Sequence, residues 1–111
     1  MSFFIYQLRL VPHYRDESNW TDGTRRIVSD HFNHLKHNCD KGKVLIAGRS
    51  DLSISDTDNF GICIFEAATQ EEAQRFMDSD PSVIHGVMTG RLFPFSLAML
   101  RGKLCEPLLD N

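Results

Sequence analysis

Two residues of this chain, His31 and Asp80, are of the types that pass protons near neutral pH. His31 falls one helical turn after Ile27 and one before Leu35, at the margin of an apolar stripe. From there a neutral imidazole can point into a cleft and accept a substrate proton. A carboxylate beside the ring would orient it and favour its charged form. Each residue also has a plain structural account. His31 can be a packing or surface histidine, and Asp80 can be the polar exit of a helix before Pro81. The two lie far apart in sequence, so only the fold can join them.

Three further residues could meet a ligand. Arg49 and Ser50 close an apolar strand; Arg49 could hold a carboxylate or phenolate, or form a surface salt bridge. Tyr6 on the first strand could line a pocket and hydrogen-bond a ligand, or simply pack. His34 and His37 follow His31 at spacings of three and six, and no Cys or carboxylate completes a ligand set, so no metal is expected. Both are read as solvent-facing. No phosphate-binding glycine motif occurs, and the cysteines lack a neighbouring base.

The elements that must position these residues follow from pattern. Residues 3–11 are rich in strand formers and Pro12 ends the run. A polar loop leads to Asp22-Gly23, where Asp22 is a candidate helix cap. From 24 to 40, Val28, Phe32, Leu35 and Cys39 share one helical stripe, read as buried. Gly42 is placed for a left-handed helix end. Strands are expected at 43–47 and 60–66, around a loop rich in Ser and Asp. Thr69 followed by Glu72 is a capping box, and Ala73, Phe76 and Met77 form that helix's apolar face. Asp80-Pro81 ends the helix. A fourth strand is expected over 87–100, with Pro94 arguing for an edge or a bulge. The order β-α-β-β-α-β is the ferredoxin-like, split β-α-β plan, an α+β fold with a four-stranded antiparallel sheet and two helices on one face.

Both faces of that sheet are apolar. Phe4, Tyr6, Leu8 and Leu10 share one side of the first strand, with Phe3, Ile5 and Val11 on the other. Phe93, Phe95, Leu97 and Met99 oppose Met88 and Leu92 in the fourth. A second apolar face implies a cover, which points to a homodimer through the open sheet face. The segment from Gly102 to Asn111 folding back is the alternative cover.

At 111 residues the chain is read as one domain, with its core over about 3–100 and a tail over 101–111. The eight phenylalanines suggest an aromatic core. A net charge of −3 gives no reason to expect nucleic acid, and no apolar run is long enough for a membrane span. Three widely spaced cysteines, Cys39, Cys63 and Cys105, fit a reducing cytoplasm better than a disulfide framework.

The joint order of several short segments resembles the YciI-like (YCII-related) family over about residues 4–97. These are His31 to Gly42 with its Asp40-Lys41-Gly42 exit, Ala47-Gly48 after an apolar strand, the Glu71-Glu72-Ala73 helix leading to Asp80-Pro81, and Pro94-Phe95. The resemblance implies a dimeric α+β barrel with no cofactor and His31 and Asp80 as an acid/base pair. It further implies lyase or isomerase chemistry on a small molecule, aromatic compounds included. A non-catalytic dimer that binds a small ligand or supports another protein is the alternative. Three positions depart from the family pattern: Arg49 where proline is usual, Ser82 where a bulky residue is usual, and a long loop from Pro12 to Asp22. All would line the family's cleft, so a changed substrate or lost activity is in view.

Overall fold

The computed structural model describes residues 2–101. Four antiparallel strands form one sheet: β1 (Ser2–Leu10), β2 (Val44–Arg49), β3 (Gly61–Ala67) and β4 (Met88–Phe95), in the order β2-β3-β1-β4. Three helices connect them: α1 (Asp22–Asp40), α2 (Gln70–Asp78) and the single turn α3 (Pro81–Ile84). This is the ferredoxin-like α+β arrangement, with the two central strands β1 and β3 paired from Ser2↔Ala67 to Leu8↔Gly61.

Alternation along β1 decides what the sheet buries. Phe4, Tyr6, Leu8 and Leu10 are all buried on the helix side, and the residues between them are half-buried. From β3, Cys63, Phe65 and Ala67 join them, and α2 contributes Ala73, Phe76 and Met77. The core is aromatic as its composition suggests. Phe65 and Phe76 have ring centroids 4.6 Å apart, and Tyr6 lies 5.7 Å from Phe65. Each such pair adds about 0.5–1.5 kcal/mol beyond burial. At Gly90 of β4 a Cβ would come within 2.8 Å of Met77 Sδ, so its absence lets α2 settle onto the strand.

Several local expectations change. Thr21, not Asp22, caps α1: its hydroxyl accepts from Thr24 N, and Thr24 Oγ1 accepts from Thr21 N, a complete capping box. At α2, Thr69 Oγ1 accepts from Glu72 N, but Glu72 reaches back to Ala68 N, one residue further out. Gly42 takes φ +85 after the α1 exit, as the helix end requires. The fourth strand stops at Phe95, so Leu97 and Met99 lie beyond it. Pro94 still sits on an edge strand, where its missing N–H is harmless.

The largest difference concerns α1. Its stripe of Val28, Phe32, Leu35 and Cys39 enters the core only in part: Leu35 is half-buried and packs against it, Val28 is half-buried, but Phe32 is 64% exposed and Cys39 is exposed. The helix stands off the β2-β3-β1 half of the sheet, and a cavity of about 650 Å³ opens between them. An amphipathic pattern identifies an apolar face without saying whether protein or a ligand covers it.

Candidate active site

Asp80 organises one end of that helix layer. It is fully buried and serves as the N-cap of α3, with Pro81 at the first helical position. Its Oδ1 accepts from Ser82 N at 2.9 Å and from Ser82 Oγ at 2.8 Å. Its Oδ2 accepts from the Tyr6 hydroxyl at 2.8 Å. The His31 ring completes the set, with Nδ1 at 2.7 Å from Oδ1 and 2.9 Å from Oδ2. The two residues that sequence left 49 positions apart are thus in direct contact.

The electrostatics follow from these contacts. Burial alone would raise the Asp80 carboxyl, but the hydrogen bond and charge of His31, with the two donors of Ser82, overcome it and hold it below its ordinary value. Burial first, then the negative field of Cys63 and Asp80, pushes the Tyr6 hydroxyl far up, so it stays protonated and donates. Asp80 therefore remains a carboxylate. Facing a carboxylate, the neutral His31 ring carries its hydrogen on Nδ1, which leaves the lone pair on Nε2. The His31 side chain keeps 15% of its surface exposed and lies on the cavity wall. Burial pushes the Cys63 thiol up to about 12, which removes it as a nucleophile near neutral pH.

The remaining candidates separate. Arg49 lines the cavity and makes no ion pair among the described residues, so the surface salt bridge is not formed. Ser50 faces a smaller recess beside it and ties the loop base: its N–H donates to Phe60 O at 2.8 Å, and its Oγ accepts from Phe60 N at 3.1 Å. Tyr6 is absent from the cavity wall and reaches Asp80 instead.

Sequence reasoning missed Ser82, which appeared only as a departure at the cleft. Asp-Pro-Ser does carry a signal: an N-cap, a proline at the first helical position and a hydroxyl next to it. It also missed the cavity's outer rim. The long loop of residues 12–19 forms two 3-10 turns, Pro12–Arg15 and Glu17–Asn19. Arg15 donates from there to Ile54 O, Asp56 O and Asn59 O at 3.2, 2.6 and 3.3 Å. Arg9 also donates to Thr57 O. Trp20 Nε1 donates to Tyr14 O at 2.7 Å, and its ring joins Ile54 and Phe60 on the cavity wall.

His34 corrects another expectation. It is not solvent-facing: its ring stacks on Phe76 at 5.4 Å, and its buried Nε2 has no hydrogen-bond partner among the described residues. An apolar neighbour on the next helix, invisible in a one-helix pattern, covers it. Burial holds its pKa below the ordinary value. The unfolded chain takes that proton near pH 6.5, whereas the folded one resists, so stability falls as pH drops below about 6.5. Urea unfolding at pH 5 and pH 7.5 should show a smaller acid-side loss in His34→Phe than in the native protein; equal losses in both would contradict this. His37 is exposed, as expected.

The model of the YCII-related domain family matches residues 9–96. The chain belongs to that family. Among solved structures, this YCII-related protein is similar to 5-chloro-2-hydroxyhydroquinone dehydrochlorinase (TftG) from Burkholderia phenoliruptrix AC1100, in complex with 2,5-dihydroxybenzoquinone. The TM-score is 0.57 at 16% identity, covering 85% of this chain and 93% of that one. It is also similar to protein Atu4242 from Agrobacterium tumefaciens, with a TM-score of 0.45 at 15% identity over 91% of this chain and 95% of that one. No curated protein sequence matches. At such identities the likeness to TftG shows the fold alone. No helix among the described residues is long and apolar enough to cross a membrane.

Proposed function

We propose that this YCII-related protein is a cofactor-independent lyase or isomerase in which His31 moves a proton on a small molecule seated in the cavity. The observation that carries the reading is the His31–Asp80 contact: the carboxylate occupies Nδ1, while the ring lies on the cavity wall with its other nitrogen unbonded among the described residues. Nε2 takes a proton from the substrate. In a lyase step the electron pair released forms a new double bond, and the leaving group departs with the electrons of its own bond. In an isomerase step the same proton returns at another atom. Asp80 positions the ring and stabilises the imidazolium that forms. Arg49 holds the substrate at the far side of the cavity. The TftG likeness, with the hydroquinone in that enzyme's name and the flat quinone bound in that structure, supports an aromatic substrate. Chloride release from 5-chloro-2-hydroxyhydroquinone, with its loss in His31→Asn, is the direct assay. A native protein inert on that compound and on a panel of hydroxylated aromatics, carboxylic acids included, would contradict the reading.

A second reading has its own observation. Asp80 caps α3 and bonds Tyr6 and Ser82 whether or not chemistry occurs. The dyad would then be a structural clamp beside the pocket of a non-catalytic ligand-binding or accessory dimer.

On either reading we propose a single domain that pairs through the open sheet face. Register aligns Ile46, Ile64, Ile5 and Phe93 in one row across all four strands. Ile46 is 48% and Phe93 39% exposed. A twofold axis lets this row cover its own copy. Sedimentation should give a dimer of the 12.7 kDa chain, and Ile46→Asp with Phe93→Asp should give monomers. A native monomer at micromolar concentration would exclude the pairing. The alternative cover, residues 102–111, lies outside the described residues. Free Cys39 and Cys63 support a reducing, cytoplasmic setting.

A further inference from the structure

The cavity between α1 and the sheet has few polar groups on its wall, and their charges do not cancel. Lys36 is held by Asp40, Nζ to Oδ2 at 3.2 Å, so that pair is neutral as a unit. Asp40 is the sole carboxylate on the wall among the described residues, and it is taken. The Asn59 Nδ2 donates to Leu52 O at 3.0 Å, and its backbone carbonyl accepts from Arg15. Of the remaining titratable side chains, His31 has its Nδ1 on Asp80, and Arg49 has no ion pair among the described residues, which leaves one uncompensated positive charge on the wall. Around them stand Trp20, Phe32 and Phe60 with aliphatic residues of the strands. An apolar pocket with a few convergent polar groups is the usual form of a small-molecule site. A guanidinium on such a wall matches a planar, two-oxygen anion.

We propose that the cavity takes a flat aromatic carboxylic acid, its carboxylate on Arg49 and its ring against Phe32, Phe60 and Trp20, presented to His31. This names the substrate class and rests on the cavity being the substrate site. Shape and charge divide the work. The apolar walls favour a ring of one or two fused cycles, which a volume of about 650 Å³ admits with room to spare. Arg49 selects the acid over its neutral analogue. The Phe32 ring, 64% exposed without a ligand, becomes covered on binding. Trp20 is the single tryptophan, so its fluorescence reports the occupant directly.

The test is calorimetric titration with 2-naphthoate and with 2-naphthamide, the same ring system without the charge, with Trp20 emission followed in parallel. The acid should bind at least tenfold more tightly than the amide and quench Trp20. Arg49→Gln should remove that preference, weakening the acid about tenfold and leaving the amide unchanged. Equal affinities for acid and amide in the native protein, an undiminished preference in Arg49→Gln, or no binding of the acid to folded protein would each overturn the proposal. The readout is binding, so it is separable from proton transfer. If the preference is absent while chloride release still depends on His31, the acid/base reading stands and the substrate class falls. If the preference is present with no turnover of any acid tested, the substrate class stands and the catalytic reading falls.

Discussion

Replacing Asp80 by alanine should lower the unfolding free energy by about 3–5 kcal/mol, as removal of one partner from a buried charged network does. The carboxylate is fully buried and satisfies three side chains and one backbone N–H at 2.7–2.9 Å. Alanine leaves the Tyr6 hydroxyl and the Ser82 donors without their acceptor and uncaps α3. Each buried orphan costs about 1–3 kcal/mol, and a lost cap about 0.5–2 kcal/mol. Local relaxation keeps the sum from being additive. Tyr6→Phe removes one donor and leaves the carboxylate its other partners, so it should cost about 1 kcal/mol. Urea unfolding at pH 7, with unchanged m-values, measures both. The sign of the pH dependence is fixed by the depressed Asp80 pKa. Its stabilisation is present above the ordinary carboxyl value of 3.8 and is lost as pH falls through the lower folded value. The deficit of Asp80→Ala relative to native should therefore shrink in strong acid. A loss below about 1 kcal/mol at pH 7 would mean that the network is not a stabilising unit.

The second large effect is on turnover. His31→Asn should keep a donor against Asp80, because the carboxamide nitrogen takes the place of Nδ1, yet it has nothing at Nε2. Loss of a general base typically costs 10²–10⁴-fold, and kcat should fall by about that factor with the fold intact. Asp80→Asn tests the positioning role separately. The carboxamide oxygen can still accept from Ser82 and from His31 Nδ1, 2.7 Å away in the native geometry, while its NH₂ faces Tyr6 and lies 2.9 Å from the same ring nitrogen. The charged acceptor is gone and a donor competes at Nδ1, so the ring is no longer held in one tautomer. Turnover should fall by about 10²-fold or more while the ring stays in place. Loss of kcat in both variants, with little change in KM, is the expected pattern. Normal turnover in His31→Asn would assign the chemistry to another group.

Much of the scaffold was legible because its signals are local. Alternation in β1, the Thr69–Glu72 helix start, and Gly42 at φ +85 each need only a few neighbouring residues. Family resemblance named His31 and Asp80 together, and the two side chains meet at 2.7 Å. What was not legible depends on tertiary placement. The Val28–Cys39 stripe reads as core because periodicity cannot distinguish a buried face from a cavity wall. His34 reads as exposed because Phe76, which covers it, lies on another helix. Tyr6 reads as a ligand contact or a packing residue; it spends its hydroxyl on Asp80, and both side chains are fully buried. Arg15 gave no signal at all. Its three carbonyl partners sit 39–44 residues away and are backbone groups that any sequence supplies.

The central claim is that Asp80 fixes the His31 ring with its hydrogen on Nδ1 and a free lone pair on Nε2. Nitrogen-15 NMR of the histidine rings in the native protein and in Asp80→Asn, at a pH where the ring is neutral, tests it most directly. The account predicts a protonated Nδ1 and an unprotonated Nε2 in the native ring, with the second tautomer gaining population in the variant. An even mixture in the native protein, or a native ring with its hydrogen on Nε2, would show that the carboxylate does not set the ring and would contradict the acid/base assignment.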